Sequence, residues 1–265
     1  MDEIAEYNQI RWRTLAQANA LFTRPKLNLD ELSAQKLIDS DGKLGDVRGK
    51  DVLCLAGGGG QQSAAFAVLG ANVTVFDLSY EQLERDRQAA EHYALEIKTV
   101  QGDMRDLSGF EKDSFDIVIQ PYSINFVPEI NIVFHQVARV LRNGGIYCFN
   151  FANPFTMGIQ PTDWRDDGYV LKNPYINKAC ISYEDQNWVY DRKNTEKIPN
   201  PVEFRHTLSD VFNNLIENNF VISHVSDQKD MFPDLTDEPG TWDHLVAFAP
   251  PWFFILAHYK PDFKI

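Results

Sequence analysis

Cysteine is scarce: Cys54, Cys148 and Cys180 are the only three in a chain of 265 residues. They show neither metal-ligand spacing nor a patterned even set, which excludes a zinc module and a disulfide-stapled scaffold. Cys54 and Cys148 sit inside apolar, strand-like runs and read as small core residues. Histidine offers no metal site either, since His92, His135, His206, His224, His244 and His258 stand at no ligand spacing. Long apolar runs are also missing. The longest candidate, Leu245 to Ala257, is interrupted by Pro250 and Pro251 and is too short for a bilayer. The opening residues, Met-Asp-Glu-Ile-Ala-Glu, lack the basic and apolar parts of a secretory leader, so a cytoplasmic location is expected. No basic run occurs: 25 Lys and Arg face 38 Asp and Glu, a formal net charge of −13. Nucleic-acid backbones are held by clustered cations, so no such partner is expected. The acidity reads as a solvated surface.

What remains is an ordinary globular chain, 44% hydrophobic and 24% charged, long enough for one sizeable α/β domain. Short apolar runs alternate with helical periods, the pattern of a parallel sheet covered by helices. Strands are expected at Asp51–Leu55, Asn72–Phe76, Ile97–Gln101, Phe115–Gln120 and Gly145–Phe151. Ser79-Tyr-Glu-Gln82 has the form of a capping box opening a helix toward Ala94. From Glu129 to Leu141 the residues Ile130, Val133, Phe134, Val137, Val140 and Leu141 share one face, a helix that Asn143-Gly-Gly145 should stop. After Phe151 the alternation gives way to prolines and aromatics, among them Trp164, Tyr169, Tyr183, Trp188 and Tyr190. Such a stretch predicts a lid, a binding insert or a small extra sheet, its aromatics mostly forming a small core. Thr207-Leu-Ser-Asp210 restarts helical period, and Phe220–Ser226 with Trp252–Tyr259 predict two further strands and an antiparallel edge. Ile4 to Phe22 is expected to be helical and outside the sheet.

One passage carries chemistry. Val52-Leu-Cys-Leu-Ala-Gly-Gly-Gly-Gly60 is a buried strand running into a loop almost without side chains, and Asp77 follows nineteen residues after Gly58 at the end of the next strand. Glycines allow close backbone approach and φ > 0. A helix N-terminus offers unpaired N–H groups. A carboxylate at the second strand end can accept both hydroxyls of a ribose. A nucleoside-containing cofactor is the expected ligand. The chain then divides, as one domain, into a helical cap (1–45), a cofactor-binding core (50–151), a lid or substrate insert (152–205), and a C-terminal helix with edge strands (206–265).

These residues resemble the class I S-adenosylmethionine-dependent methyltransferases, within them the small-molecule, type 11-like group. Val52–Gly60 resembles the family's first motif, and Asp77 its ribose-binding acid. Gly102-Asp-Met-Arg-Asp-Leu107 resembles the turn that holds adenine, and Phe115–Tyr122 the fourth strand beside the donor's methionine portion. Ala138–Ile146 resembles the helix-to-strand turn before strand five. The likeness covers residues 50–150 strongly and Arg205–Lys260 more weakly. It implies a Rossmann-like, doubly wound sheet, mostly parallel with an antiparallel edge strand. S-adenosyl-L-methionine would be held by Ala56, Gly57, Gly58, Gly60, Asp77, Leu78, Asp103, Met104 and Gln120, and released as S-adenosyl-L-homocysteine. Tyr122 and Asn125 border the expected transfer cleft, and His206, opening the helix after the insert, is the best-placed histidine; these three are the expected substrate contacts. The family usually has an acid where Cys54 stands and a glycine where Ala56 stands.

The expected reaction is methyl transfer to a small-molecule acceptor by in-line displacement, with no metal and no identifiable catalytic base. A monomer or homodimer away from any membrane is expected. Two other readings stay open. A nicotinamide-binding oxidoreductase shares the glycine loop and acid, although Gln62 or Ser63 falls where its third small residue should stand. A non-catalytic S-adenosylmethionine-binding module would account for Cys54 and Ala56. An adenine-N6 DNA methyltransferase is disfavoured by Ile119-Gln120 before Pro121-Tyr122 and by the charge. Arsenic methylation is disfavoured because only Cys180 falls in the insert.

Overall fold

The computed structural model describes residues 2–184, 197–227 and 231–262. Its elements are α1 (Glu3–Gln17), α2 (Glu31–Ile38), β1 (Asp51–Leu55), α3 (Gln62–Val68), β2 (Asn72–Asp77), α4 (Tyr80–Tyr93), β3 (Ile97–Gln101) and β4 (Phe115–Gln120). There follow α5 (Ile130–Val140), β5 (Leu141–Ala152), β6 (Trp164–Arg165), β7 (Gly168–Tyr169), β8 (Cys180–Ser182) and β9 (Val202–Phe204). The chain closes with α6 (Leu208–Glu217), β10 (Phe220–Ser226), α7 (Trp242–Phe248) and β11 (Trp252–Tyr259).

Seven strands form one sheet in the order β10-β11-β5-β4-β1-β2-β3. Pairings from β3 through β5 are parallel, and β11 runs antiparallel to both β5 and β10. The reversed strand therefore lies one place in from the edge. Winding starts at β1, runs out through β2 and β3, and returns to β4 on β1's other side. That reversal opens a crevice beyond the carboxyl ends of β1 and β4.

β1 is buried on both faces, as a central parallel strand must be. Leu53 and Leu55 point into one core cluster with Phe134, Val137, Phe149 and Leu215. Val52 and Cys54 point into the other, with Phe66, Val75, Leu83 and Cys148. Both Cys54 and Cys148 are buried, as their strand context predicts.

Ser79 caps α4 through the Gln82 amide. α5 ends at Val140, and β5 begins at once. Leu141 pairs with Phe115, the register shifts, and Ile146 then pairs with Ile117. Asn143-Gly-Gly145 is thus a bulge within a longer strand, Gly144 taking φ +86°, rather than a turn before a short one. Helix α7 was not legible from period, being seven residues long, but Thr241 caps it through the His244 amide.

The insert adds two small antiparallel pairs, β6–β7 and β8–β9. Its aromatics build a local core, Trp164 lying edge-on to His244 at 4.9 Å and to Phe248 at 5.6 Å. Trp188 and Tyr190 lie outside the described residues. Buried Arg205 ties the insert together, its guanidinium donating to the carbonyls of Asn173 (3.2 Å), Pro174 and Met157 (3.4 Å). Among the described residues no helix is long and apolar enough to cross a membrane, and no cluster of His, Cys, Asp or Glu could hold a metal ion.

Candidate functional site

A cavity of about 500 Å³ occupies the crevice. Its floor is the ends of the strands: Ala56 and Gly58 after β1, Asp77 and Leu78 at β2, Asp103 and Met104 after β3, Tyr122 after β4. Asn150 and Ala152 of β5 and Trp252 of β11 extend it the other way, and Asn8 and Trp12 of α1 cover it.

Ala56 turns the chain out of β1 at φ +45°, a conformation that costs a non-glycine residue roughly 1–2 kcal/mol. The loop that follows is held by two buried carboxylates. Gly58 N–H donates to Asp77 Oδ2 at 2.9 Å, and Ser79 N–H to Asp77 Oδ1 at 2.8 Å. Gly59 and Gly60 N–H donate to Asp86 at 3.0 Å each, and Ser63 Oγ donates to it at 2.5 Å. The amides of residues 58–60 are therefore aimed at side chains of this chain, not into the cavity. Gly57 and Gly60 shape the loop without lining it. A Cβ on Gly60, at φ +70°, would stand 2.6 Å from the Arg85 carbonyl.

Burial raises Asp77 above the usual carboxylate value, against the pull of the Ser79 and Gly58 amides. Burial pushes Asp86 up to about 7, although Ser63 and the Gly59 amide favour its anion. Asp86 was missed in the sequence. The available signal was an acid on the buried face of α4, beside Leu83 and Ala89.

Asp103 accepts from Arg105 Nε at 3.0 Å and from its backbone amide at 2.9 Å. Arg105 also grips Asp2 at 2.6 Å, so the start of α1 is latched to the β3 turn. These two acids, Asp103 first, hold the Arg105 guanidinium above its ordinary pKa.

Gln120, Asn125 and His206 do not line the cavity. Gln120 is fully buried, donating to Ser123 Oγ (3.0 Å) and Met104 Sδ (3.2 Å) and accepting from Tyr147 OH (2.5 Å). Asn125 joins the Phe204 carbonyl (3.0 Å) to the Ala152 amide (2.8 Å). His206 Nε2 meets the Val127 carbonyl at 3.0 Å. A residue near a strand end can turn into the wall or into the opening, and sequence position does not say which. All three stand behind the wall.

Tyr122 does face the opening, and its hydroxyl donates to Glu203 Oε2 at 2.9 Å. Tyr183 donates to Glu203 Oε1 at 3.1 Å. Glu203, in β9, lines the same cavity and carried no signal in the sequence. Two further wall atoms, Gln82 Oε1 and Asn8 Oδ1, are buried acceptors with no hydrogen-bond partner among the described residues. Together with Asp77 they match a ligand rich in donors, such as a ribose diol and an ammonium group. The residues present fit S-adenosylmethionine.

Comparison with known proteins agrees. Residues 53–149 match the model of a family described as "Methyltransferase domain". An uncharacterized methyltransferase of Bacillus subtilis, YbaJ, is 38% identical over 188 residues, 70% of this chain and 71% of its own. The fatty-acid O-methyltransferase of Mycolicibacterium smegmatis is 33% identical over 134 residues, 49% of this chain and 48% of its own. Among solved structures, a putative S-adenosylmethionine-dependent methyltransferase from Listeria monocytogenes superposes with a TM-score of 0.65 at 21% identity, covering 87% of this chain and all of that one.

Proposed function

The chain belongs to the class I S-adenosylmethionine-dependent methyltransferases, and from that premise we propose that it methylates a small molecule seated at the β5–β11 end of the cavity. Membership sets aside the oxidoreductase reading. S-adenosylmethionine is the cofactor and the protein is an enzyme. The observation that carries the proposal is the position of Asp77, a buried carboxylate fixed by Gly58 and opening on a cavity that continues past Tyr122 to Trp252.

In this reading Asp77 accepts the ribose hydroxyls, while Leu78, Asp103 and Met104 form the adenine end. Ala56 and Gly58 leave room for the methionine chain, and Gln82 Oε1 and Asn8 Oδ1 accept from its donors. Bound S-adenosylmethionine supplies a methyl group already activated on sulfur. The protein's work is then to align the acceptor and exclude water, and orientation alone lowers barriers by up to about 7–11 kcal/mol in model systems. Trp12, Phe126 and Trp252 give this space apolar walls. Gln120 and Asn125 act from behind, holding Met104, Ser123, Phe204 and Ala152 in register. Relatives' names support a small acceptor, one of them methylating fatty acids on oxygen. The proposal includes a cytoplasmic enzyme, without a nucleic-acid partner at net charge −13.

Thermal unfolding tests it. At about 100 times Kd, S-adenosylmethionine or S-adenosylhomocysteine should stabilise the protein by about 2.7 kcal/mol, several degrees in Tm, while NAD(H) gives no shift. The reverse pattern would remove the reading.

A further inference from the structure

We propose that Trp12, Tyr122 and Phe126 form an aromatic corner that reads the positive charge of the donor's sulfonium, so that the site prefers the charged cofactor to its neutral product. The inference rests on the function proposed above and deepens it. All three rings line the cavity. Trp12 and Phe126 stand at 87° with centroids 5.9 Å apart, and Tyr122 and Phe126 at 83° with centroids 6.3 Å apart. Rings set at right angles leave a concave corner walled by a face from each, and the face is the negative part of an aromatic quadrupole. A cation within about 6 Å of such a face is attracted to it, most strongly where water is excluded.

Three segments meet to build the corner. Trp12 comes from α1, Tyr122 follows β4, and Phe126 ends a single 3₁₀ turn, Ile124–Phe126, buried in the cluster that holds Leu53 and Phe134. The Tyr122 hydroxyl donates to Glu203 Oε2 at 2.9 Å, which fixes its ring. Asn8, one turn before Trp12 on α1, donates through Nδ2 to the Phe126 carbonyl at 3.1 Å. That bond ties two of the ring-bearing segments together. Only 4% of Asn8 is exposed, and its Oδ1 is buried without a hydrogen-bond partner among the described residues. The negative end of an amide dipole thus lies beside the rings, a second feature matched to a cation and independent of them. Among the described residues that line the cavity the one cationic side chain is Arg105, and it is paired with Asp103 and Asp2.

A sulfonium suits the corner because it has no N–H or O–H to give to a hydrogen bond. β4 lies between β1 and β5. The corner therefore stands between the loop that leaves room for the methionine chain and the end proposed for the acceptor, where the reacting sulfur belongs. On transfer the acceptor's lone pair bonds to the methyl carbon, the carbon–sulfur pair stays on sulfur, and the sulfonium becomes a neutral thioether. The positive charge moves to the methylated acceptor, which leaves with it or loses a proton to solvent. The corner then holds an uncharged product more weakly, which favours product release, a step that limits many enzymes.

Calorimetry on the full chain with S-adenosylmethionine, sinefungin and S-adenosylhomocysteine tests this. Sinefungin carries an ammonium group where the donor carries its sulfonium methyl. Wild type should bind both cations about tenfold more tightly than S-adenosylhomocysteine. Trp12→Leu and Phe126→Leu keep an apolar wall but remove a ring. Each should bring the three Kd values within about threefold of one another, by weakening the two cations and leaving S-adenosylhomocysteine nearly unchanged. Trp12→Phe, which keeps a ring, should retain most of the preference. A wild type that binds S-adenosylhomocysteine as tightly as S-adenosylmethionine overturns the proposal, with no variant needed. Variants that weaken all three ligands alike overturn it too, since the rings would then be a plain wall. Wild type that binds neither S-adenosylmethionine nor S-adenosylhomocysteine overturns the underlying function itself.

Discussion

Gly58 and Asp77 are locked to each other: the Gly58 amide donates to Asp77 Oδ2 at 2.9 Å, and a Cβ on Gly58 would stand 3.0 Å from that same oxygen. It would also stand 2.7 Å from Gln82 Cβ. The glycine is therefore required by the carboxylate's position. Gly58→Ala should displace Asp77 and Gln82 together and weaken S-adenosylmethionine at least about tenfold, the scale of one charged hydrogen bond. Calorimetry on a variant whose circular dichroism matches wild type checks this; an unchanged Kd would contradict it.

Asp86 sets a pH dependence whose sign can be worked out. Its folded pKa of about 7 lies above the roughly 3.9 of an unfolded chain. The folded state holds this proton more tightly, so stability from Asp86 falls as pH rises from about 4 to about 7 and is level above that. The full shift corresponds to about 2–4 kcal/mol. Urea unfolding across that range should show the slope in wild type and lose it in Asp86→Asn.

Cofactor affinity should run the opposite way, because the anion is what receives the Gly59 and Gly60 amides. In wild type, Kd for S-adenosylmethionine should tighten as pH rises through about 7. In D86N it should be weaker and flat. An affinity profile identical in the two proteins would show that the loop does not need this carboxylate.

Gln120 should act on stability and not on ligand affinity. Gln120→Leu strands the Tyr147 hydroxyl and the Ser123 side chain and should cost about 1–3 kcal/mol in denaturant unfolding. Kd for S-adenosylmethionine should stay within about threefold of wild type, since one hydrogen bond to a charged partner would be worth more. A large loss of affinity at unchanged stability would put Gln120 in the cavity after all.

Much of the sheet was legible because apolar runs and turn residues bound its strands. The spans Ile97–Gln101, Phe115–Gln120, Phe220–Ser226 and Trp252–Tyr259 coincide with β3, β4, β10 and β11. Asp77 was legible for a similar reason, its spacing from the glycines being fixed by one strand–helix–strand unit. What escaped depends on contacts distant in sequence. Glu203 meets Tyr122 across 81 positions, and Asn125 meets Phe204 across 79. Local period holds no trace of such pairs. The direction of the glycine amides was not legible because a loop flanked by carboxylates satisfies its own donors, and Asp86 reaches Gly59 from 27 residues away.

The assignment is tested most directly by titrating S-adenosylmethionine into wild type and Asp77→Asn in a calorimeter. One molecule should bind per chain, and D77N should bind about 10- to 100-fold more weakly while melting a few degrees lower, since one of the Gly58 and Ser79 amides loses its acceptor. Absence of heat with wild type, or equal affinity in the two proteins, would contradict the account.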